Sequence, residues 1–261
     1  MTTVDHDRAW ALALGAVAPA QLPDNVLIEV GLVDAFATIP TALGDVFVAW
    51  NGRGVSAAHL AGDATAFARA HEARTGRRAV PGTLPARLER AIRRRLEGDR
   101  RAPVPLDLRG HTEFEQSVWM KALEIPRGQV RPYGWIAAEI GRPKAVRAVG
   151  SALGHNPVPL IVPCHRVVRT DGMIGQYSLG GPQNKRTILA AEGLDPDAME
   201  AQAQRGERYV GSATTHIVCF PTCHTGRRML AHNRRPFRSL ADAQAAGFRP
   251  CKVCRPAAAA A

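Results

Sequence analysis

Apolar and polar positions change rhythm along the chain, and each change marks an element. In the first hundred residues short apolar runs alternate with turn residues. Residues 26–30 and 45–50 read as strands, and Asn51-Gly52-Arg53-Gly54 supplies a hairpin turn into a third run, 55–60. Residues 64–73 and 85–96 carry helical periodicity, ended by Gly76 and Gly98. The apolar run 9–18 is expected as an N-terminal helix, because Asp5 and Asp7 precede it where a signal peptide needs positive charge. From 112 to 123 the period is again helical, with Phe114, Val118, Trp119 and Leu123 on a core-facing stripe. After a turn at Ile125-Pro126-Arg127-Gly128, residues 133–140 and 144–153 form two short helices joined by Gly141-Arg142-Pro143, a spacing compatible with helix-turn-helix. Along the second of these, Ala145, Ala148, Gly150, Ser151, Ala152 and Gly154 are small, and Arg147 is the only cation after Lys144. Such a helix can bring its backbone close to another surface. Residues 158–162 read as a short apolar strand stopped by Pro163, with Cys164 on the turn beyond.

Charge divides the chain differently. The net charge is +11 over 261 residues, yet residues 1–125 hold equal numbers of basic and acidic side chains. Residues 126–191 carry nine basic against two acidic residues and residues 209–261 eight against one, net +7 in each block. Between them, residues 192–208 are net −3. Two basic blocks joined by an acidic connector point to two surfaces that meet a polyanion, with nucleic acid the favoured partner. No run reaches the length of a membrane span, and a cytoplasmic, nucleoid-associated location is expected.

Five cysteines fall into two groups. Cys164 sits in Pro163-Cys164-His165-Arg166, where an adjacent imidazole and guanidinium favour a charged sulfur. Cys219, Cys223, Cys251 and Cys254 form two short pairs 27 residues apart, a spacing suited to one closed tetrahedral zinc site that stabilises a module too small for its own core. The nearby His216, His224 and His232 are left as surface residues or phosphate contacts, since four thiolates fill the shell.

Residues 106–194 resemble the methylated-DNA–protein-cysteine methyltransferases, also called alkylguanine-DNA alkyltransferases. The resemblance rests on Ile125-Pro126-x-Gly128, Tyr133, Pro143-Lys144-Ala145-x-Arg147-Ala148-Val149-Gly150, Asn156-Pro157, Pro163-Cys164-His165-Arg166-Val167, Gly175-x-Tyr177 and Leu189-x-x-Glu192-Gly193. It implies that Cys164 accepts the alkyl group, that His165 takes the thiol proton through a water, and that Glu192 orients His165. It further implies that Asn156 fixes the turn bearing the site, Tyr133 turns the nucleotide out and hydrogen-bonds the lesion base, and Arg147 fills the vacated stack. Ala145, Ala148, Gly150 and Ser151 fall on the DNA-facing helix, and Ser178 falls where the family holds the guanine edge, with the backbone of Cys164 and Val167. The loop from Tyr177 to Asn184 departs from the pattern by one extra residue, and His111-Thr112-Glu113-Phe114-Glu115-Gln116 departs at the start of its helix.

Residues 207–261 resemble the zinc domain of the adaptive-response (Ada) protein, through Val210-Gly211-Ser212, Cys219-x-Pro221-x-Cys223 and Ala245-Ala246-Gly247-Phe248-Arg249-Pro250-Cys251-Lys252-x-Cys254. That likeness implies a second methyl acceptor, Cys219, taking methyl from DNA phosphotriesters; Phe220 stands where the family usually has arginine.

The expected architecture is a multi-domain α/β chain. Residues 1–105 form an N-terminal αβ, ribonuclease-H-like domain, 106–195 a mostly helical alkyltransferase domain with a helix-turn-helix, 196–206 a linker, and 207–261 a zinc domain built on four cysteines. The expected function is irreversible, single-turnover transfer from O6-alkylguanine, and O4-alkylthymine, in duplex DNA to Cys164. One zinc ion, no organic cofactor and a monomeric state complete the expectation. Two other readings compete: a DNA-binding sensor without guanine repair, which Cys164 argues against, and a cysteine hydrolase, which usually recruits a sequence-distant histidine rather than an adjacent one such as His165 and for which no oxyanion motif is evident.

Overall fold

Strand β1 (Asp34–Thr41) organises the N-terminal sheet. It pairs antiparallel with β2 (Gly44–Asn51), β2 pairs antiparallel with β3 (Gly54–Leu60), and β4 (Ala79–Pro81) runs parallel to β1 on its other side, giving the order β3-β2-β1-β4. The computed structural model describes residues 22–256, so the apolar run 9–18 lies outside the described residues. Helix α2 (Ala64–Thr75) starts where the Asp63 side chain accepts from the Thr65 and Ala66 N–H groups, and stops at left-handed Gly76. Its Phe67 meets Phe36 and Phe47 on one sheet face, with ring centroids 5.0 to 5.4 Å apart. Helix α3 (Ala86–Leu96) buries Ala91 and Ile92 and leaves Arg93 and Arg94 outward, paired with Glu89 and Asp99.

One expected strand is a helix. Residues 26–30 belong to α1 (Asp24–Val30), which begins after Pro23 with Asp24 in its first turn and ends at Gly31 in the left-handed region. The strand of this region is β1, whose alternation is muted by Ala35 and Ala37.

The second domain packs α4 (Glu113–Ala122), α5 (Tyr133–Glu139) and α6 (Val146–Gly154) around wholly buried Val118, Trp119, Ile136 and Val149. The departure at the start of α4 is a capping box: Thr112 Oγ1 accepts from Glu115 N, and the Glu115 carboxylate accepts from Thr112 N. Trp119 Nε1 donates to the Ala152 carbonyl at 2.8 Å, fastening α4 to α6. Two-residue strands β5 (Arg131–Pro132) and β6 (Val167–Val168) pair in parallel, and α7 (Gly181–Ala191) closes the domain.

The connector expected at 196–206 is also ordered. It contains α8 (Pro196–Gln204), capped by the Asp195 side chain, and Arg186 of α7 pairs with Glu200 at 2.6 Å and with Asp197. Its acidic residues thus tie it to α7 rather than solvate a free link. Beyond it, β7 (Tyr209–Ser212), β8 (Ile217–Cys219), β9 (Arg234–Phe237) and β10 (Arg249–Pro250) form a small sheet in the order β10-β8-β7-β9, with short helices α9 (His224–Arg227) and α10 (Leu240–Ala245). Gly211 in β7 is required there, since a Cβ would lie 2.5 Å from the Phe248 ring. No helix among the described residues is long and apolar enough to cross a membrane.

Candidate active site and metal centre

Residues 157–163 do not form a strand. Pro157, Pro159 and Pro163 remove three N–H donors from seven residues, so no ladder can run through them. The segment instead folds into a turn, with Leu160 at φ 72°. Asn156 holds it: its Oδ1 accepts from Val158 N at 3.1 Å, and its Nδ2 donates to Val162 O at 3.0 Å and to Cys164 Sγ at 3.1 Å. The Pro157 carbonyl accepts from Ala58 N at 2.9 Å, anchoring the turn to β3. Cys164–Arg166 then make one 3-10 turn leading into β6.

Cys164 is 5% exposed at the wall of a cavity of about 430 Å³, which Tyr133, Gly150, Ser151, Gln176, Tyr177 and Ser178 also line. Burial pushes the Cys164 thiol above its ordinary value; the Asn156 amide, the Lys185 ammonium and nearby backbone N–H groups act in the opposite direction. The resting sulfur is therefore a protonated thiol, not the ready thiolate that the flanking charges suggest.

Its neighbour His165 is 2% exposed. Burial lowers the imidazole pKa, with Arg166 and Lys185 adding to the effect against the pull of Glu192, so the ring is neutral near pH 7 and free to take a proton. Nε2 lies 3.0 Å from Glu192 Oε1, while Nδ1 is buried without a protein partner. Glu192 also accepts from Arg166 Nε and a terminal Arg166 nitrogen, and from Gly128 N at 2.9 Å. Against the opposing effect of its burial, His165 and then Arg166 depress the Glu192 carboxyl to about 2. Gly128 must be glycine: it has φ 68°, and a Cβ would stand 2.8 Å from the Glu192 carbonyl.

Two residues play parts that the sequence reading did not assign. Arg166 does not turn to the sulfur; it grips Glu192 and donates to the Ile125 carbonyl at 2.8 Å. Lys185 is 1% exposed and donates to Val167 O at 2.6 Å, and burial lowers its ammonium to about 8. Its signal was available, because a lysine three and four positions before Ile188 and Leu189 sits on the apolar face of α7. The Val167 carbonyl, part of the backbone expected at the guanine edge, thus accepts from Lys185.

The other expected residues fall on α6 and the cavity rim. Arg147, Ala148 and Ser151 are exposed, Ala145 and Gly150 half-buried, and Ser178 is exposed beside the cavity. Burial raises the pKa of Tyr133 above the ordinary phenol value, so its hydroxyl remains a donor.

Cys219 ends β8, Cys223 precedes α9, and Cys251 and Cys254 flank the turn after β10. The four sulfurs lie within 4.8 Å of one another and all are buried. A tetrahedron with metal–sulfur bonds of about 2.3 Å has edges of about 3.8 Å, so this closed, sulfur-only set fits one small thiophilic cation such as zinc.

The module is docked. Thr222 Oγ1 accepts from Val130 N at 2.9 Å, and Arg255 pairs with Glu139 at 2.6 Å and Glu124 at 3.2 Å while its guanidinium lies 5.7 Å from the Trp135 ring.

Residues 113–194 match the family described as 6-O-methylguanine DNA methyltransferase, DNA binding domain, and residues 198–257 match the metal binding domain of Ada. The methylated-DNA–protein-cysteine methyltransferase of Mycobacterium tuberculosis is 54% identical over 89 residues, 34% of this chain and 53% of that protein. The Salmonella typhimurium protein of the same name is 49% identical over 84 residues, 32% of this chain and 48% of that one. The chain thus spans about half the length of these relatives. A crystal structure of Mycobacterium tuberculosis OGT in complex with DNA is 36% identical, covering 60% of this chain and 92% of that one with a TM-score of 0.48. Residues 113–194 are therefore a DNA-binding domain of the 6-O-methylguanine DNA methyltransferase type, joined in one polypeptide to an Ada-type metal-binding domain at residues 198–257.

Proposed function

We propose that this protein repairs DNA by a single, irreversible transfer of an alkyl group from O6-alkylguanine in duplex DNA to Cys164. The observation that carries the proposal is Cys164 at the wall of a cavity of about 430 Å³, followed in the chain by a buried His165 whose Nε2 lies 3.0 Å from Glu192 Oε1. A dry thiol is a poor nucleophile and must be deprotonated on demand. His165 Nδ1, buried and unpartnered, takes the Cys164 proton through a water, while Glu192 stabilises the imidazolium through Nε2. The sulfur then bonds to the alkyl carbon as the carbon–O6 bond breaks. The electron pair stays on the base, which is proton-neutral once it regains the proton lost by Cys164, and Tyr133 donates toward O6 in the interval. The thioether has no leaving path, so each molecule reacts once.

The target base must leave the stack, at a cost of about a few kcal/mol. Helix α6 serves as the recognition helix of a helix-turn-helix, with Ala145, Ala148, Gly150 and Ser151 against the DNA, Arg147 in the vacated stack and Ser178 at the base edge. Changing Arg147→Ala should slow transfer from duplex about tenfold or more, equivalent to about 1.4 kcal/mol of lost extrusion energy. Reaction with free O6-methylguanine should change far less; equal losses on both substrates would remove the extrusion role. O4-alkylthymine presents the same exocyclic alkyl ether and is a second substrate under this reading. The N-terminal sheet, antiparallel except for β4, supports the ribonuclease-H-like assignment of that domain.

The metal-binding domain holds one zinc ion in Cys219, Cys223, Cys251 and Cys254 and contacts backbone phosphate through its basic surface. The metal keeps its ligands deprotonated, so Cys219 is a candidate acceptor for a phosphotriester methyl, although it is wholly buried and the phosphate must reach in. Intact-mass measurement of a Cys164→Ala chain after exposure to methylphosphotriester DNA should show one methyl, located on Cys219. An unmodified mass with every triester would leave only metal and DNA binding to this domain.

A further inference from the structure

The polar contacts that dock the metal-binding domain come from its ligand-bearing turns. Thr222, between Cys219 and Cys223, accepts from Val130 N at 2.9 Å and donates to Val130 O at 3.3 Å. Arg255, directly after Cys254, makes a two-pronged pair with Glu139 at 2.9 and 2.6 Å and reaches Glu124 at 3.2 Å. It does so from φ 47°, a left-handed conformation that non-glycine residues seldom hold without compensation. Phe220, directly after Cys219, is buried, with its ring 5.6 Å from the Tyr209 ring and 5.2 Å from the guanidinium of Arg131 in the central domain. The cysteine centre therefore lies on the side of its domain that faces the central domain, and Cys219, Cys223 and Cys254 are wholly buried there. The Cys164 cavity differs. Among the described residues its lining ends at Ser178 and includes none from the metal-binding domain.

We propose that the docked arrangement is a closed state that shelters Cys219, and that release of the metal-binding domain from β5 and α5 is what opens Cys219 to DNA. The proposal rests on the reading of Cys219 as a methyl acceptor. In that reaction a sulfur–carbon bond forms as the carbon–oxygen bond breaks, and the electron pair stays on the phosphate, which becomes a diester anion. Such a displacement needs sulfur, carbon and leaving oxygen in line, so the methyl carbon must come within about 3–3.5 Å of the sulfur. With Phe220 and Thr222 held against β5, no face of Cys219 is open to a duplex. The latch is separable. Arg255 and Glu124 are nearly half exposed. A cavity of about 60 Å³ also remains between Phe220, Pro221 and Thr222 on one side and Val130, Pro132 and Val168 on the other, so the boundary is less tightly filled than a core. The two acceptors thus work from different states of one chain: Cys164 with the metal-binding domain docked, Cys219 with it released.

Alkylation of the zinc-loaded full chain with iodoacetamide tests this without DNA, read at each cysteine by peptide mass with metal content measured alongside. Arg255→Ala combined with Thr222→Val removes the latch from the metal-binding side. Glu139→Arg breaks its ion pair from the other side and leaves every residue of the metal-binding domain intact. Both chains should alkylate Cys219 about tenfold faster than wild type with zinc retained, because labelling follows the released fraction. Cys219 rates equal to wild type in both would overturn the proposal. Faster labelling that comes only with loss of zinc would overturn it too, since docking would then hold the fold of the domain rather than cover its sulfur. With methylphosphotriester DNA the same variants should also methylate Cys219 faster than wild type. Faster alkylation with no triester transfer in any chain would keep the shelter and remove the acceptor role, so the two failures are told apart.

Discussion

A Cys164→Ala chain is expected to bind duplex DNA containing O6-methylguanine and to take no methyl group from it. The wild-type chain should gain one methyl on Cys164 and stop, with intact-mass spectrometry and peptide mapping as the measurement. The fold should tolerate the change. Asn156 keeps its bonds to Val158 and Val162, so the turn retains its pins when the sulfur is gone. Losing one buried heavy atom costs about 1 kcal/mol, small beside the stability of a domain. Retained binding with complete loss of transfer would assign the acceptor to the sulfur itself. Repeated turnover by the wild type, or methyl from this substrate found on another residue, would refute the single-acceptor mechanism.

Glu192→Gln should damage both the reaction and the fold. The carboxylate accepts from His165, Arg166 and Gly128 at once, and its side chain is almost fully enclosed. An amide keeps the shape but loses the charge and points donors at donors, leaving buried Arg166 without its partner. Breaking one half of such a buried pair costs about 3–5 kcal/mol, which denaturant unfolding at pH 7 would read directly. Transfer from duplex DNA should slow by about 10² to 10⁴, the usual worth of a positioned general base. The pH dependence follows from the depressed carboxyl at about 2. A group whose pKa is lowered by folding stabilises fully above its unfolded value of about 4.3 and loses that contribution as pH falls toward the folded value. The lowered imidazole of His165 acts in the same direction, beginning below about 6.5. Wild-type stability should therefore fall with acid across both ranges, and Glu192→Gln should lack the lower part. An identical acid profile in the two chains would show that the Glu192 pair contributes nothing to the pH response.

Much of the site was legible because its chemistry is compressed into short spans. Cys164 and His165 are adjacent, and Cys219, Cys223, Cys251 and Cys254 come in two close pairs, so spacing alone places donors together. Helices with strong end signals were also legible. Gly76 closes α2, and α4 spans nearly the expected range. Misreadings arose where local residues are ambiguous and distant partners decide. Residues 26–30 are apolar enough for a strand, yet Pro23, Asp24 and Gly31 make a capped helix, while β1 becomes central because β2 and β4 supply its partners. Residues 158–162 are apolar enough for a strand, but three prolines and the Asn156 side chain impose a turn. The acidic connector became α8 because Arg186, in the preceding helix, offered its acids a partner.

By itself the sequence determined which atoms are available for chemistry: a sulfur beside an imidazole, a carboxylate downstream, and four further thiols at metal-binding spacing. Only the tertiary structure decided their state. Burial makes Cys164 a thiol that must be activated, turns Arg166 away from the sulfur onto Glu192, draws Lys185 beneath β6, and encloses Arg131 between two domains. The reason is that desolvation and the sign of the nearest charge set protonation and orientation, and both depend on residues far apart in the chain that meet only when it is packed.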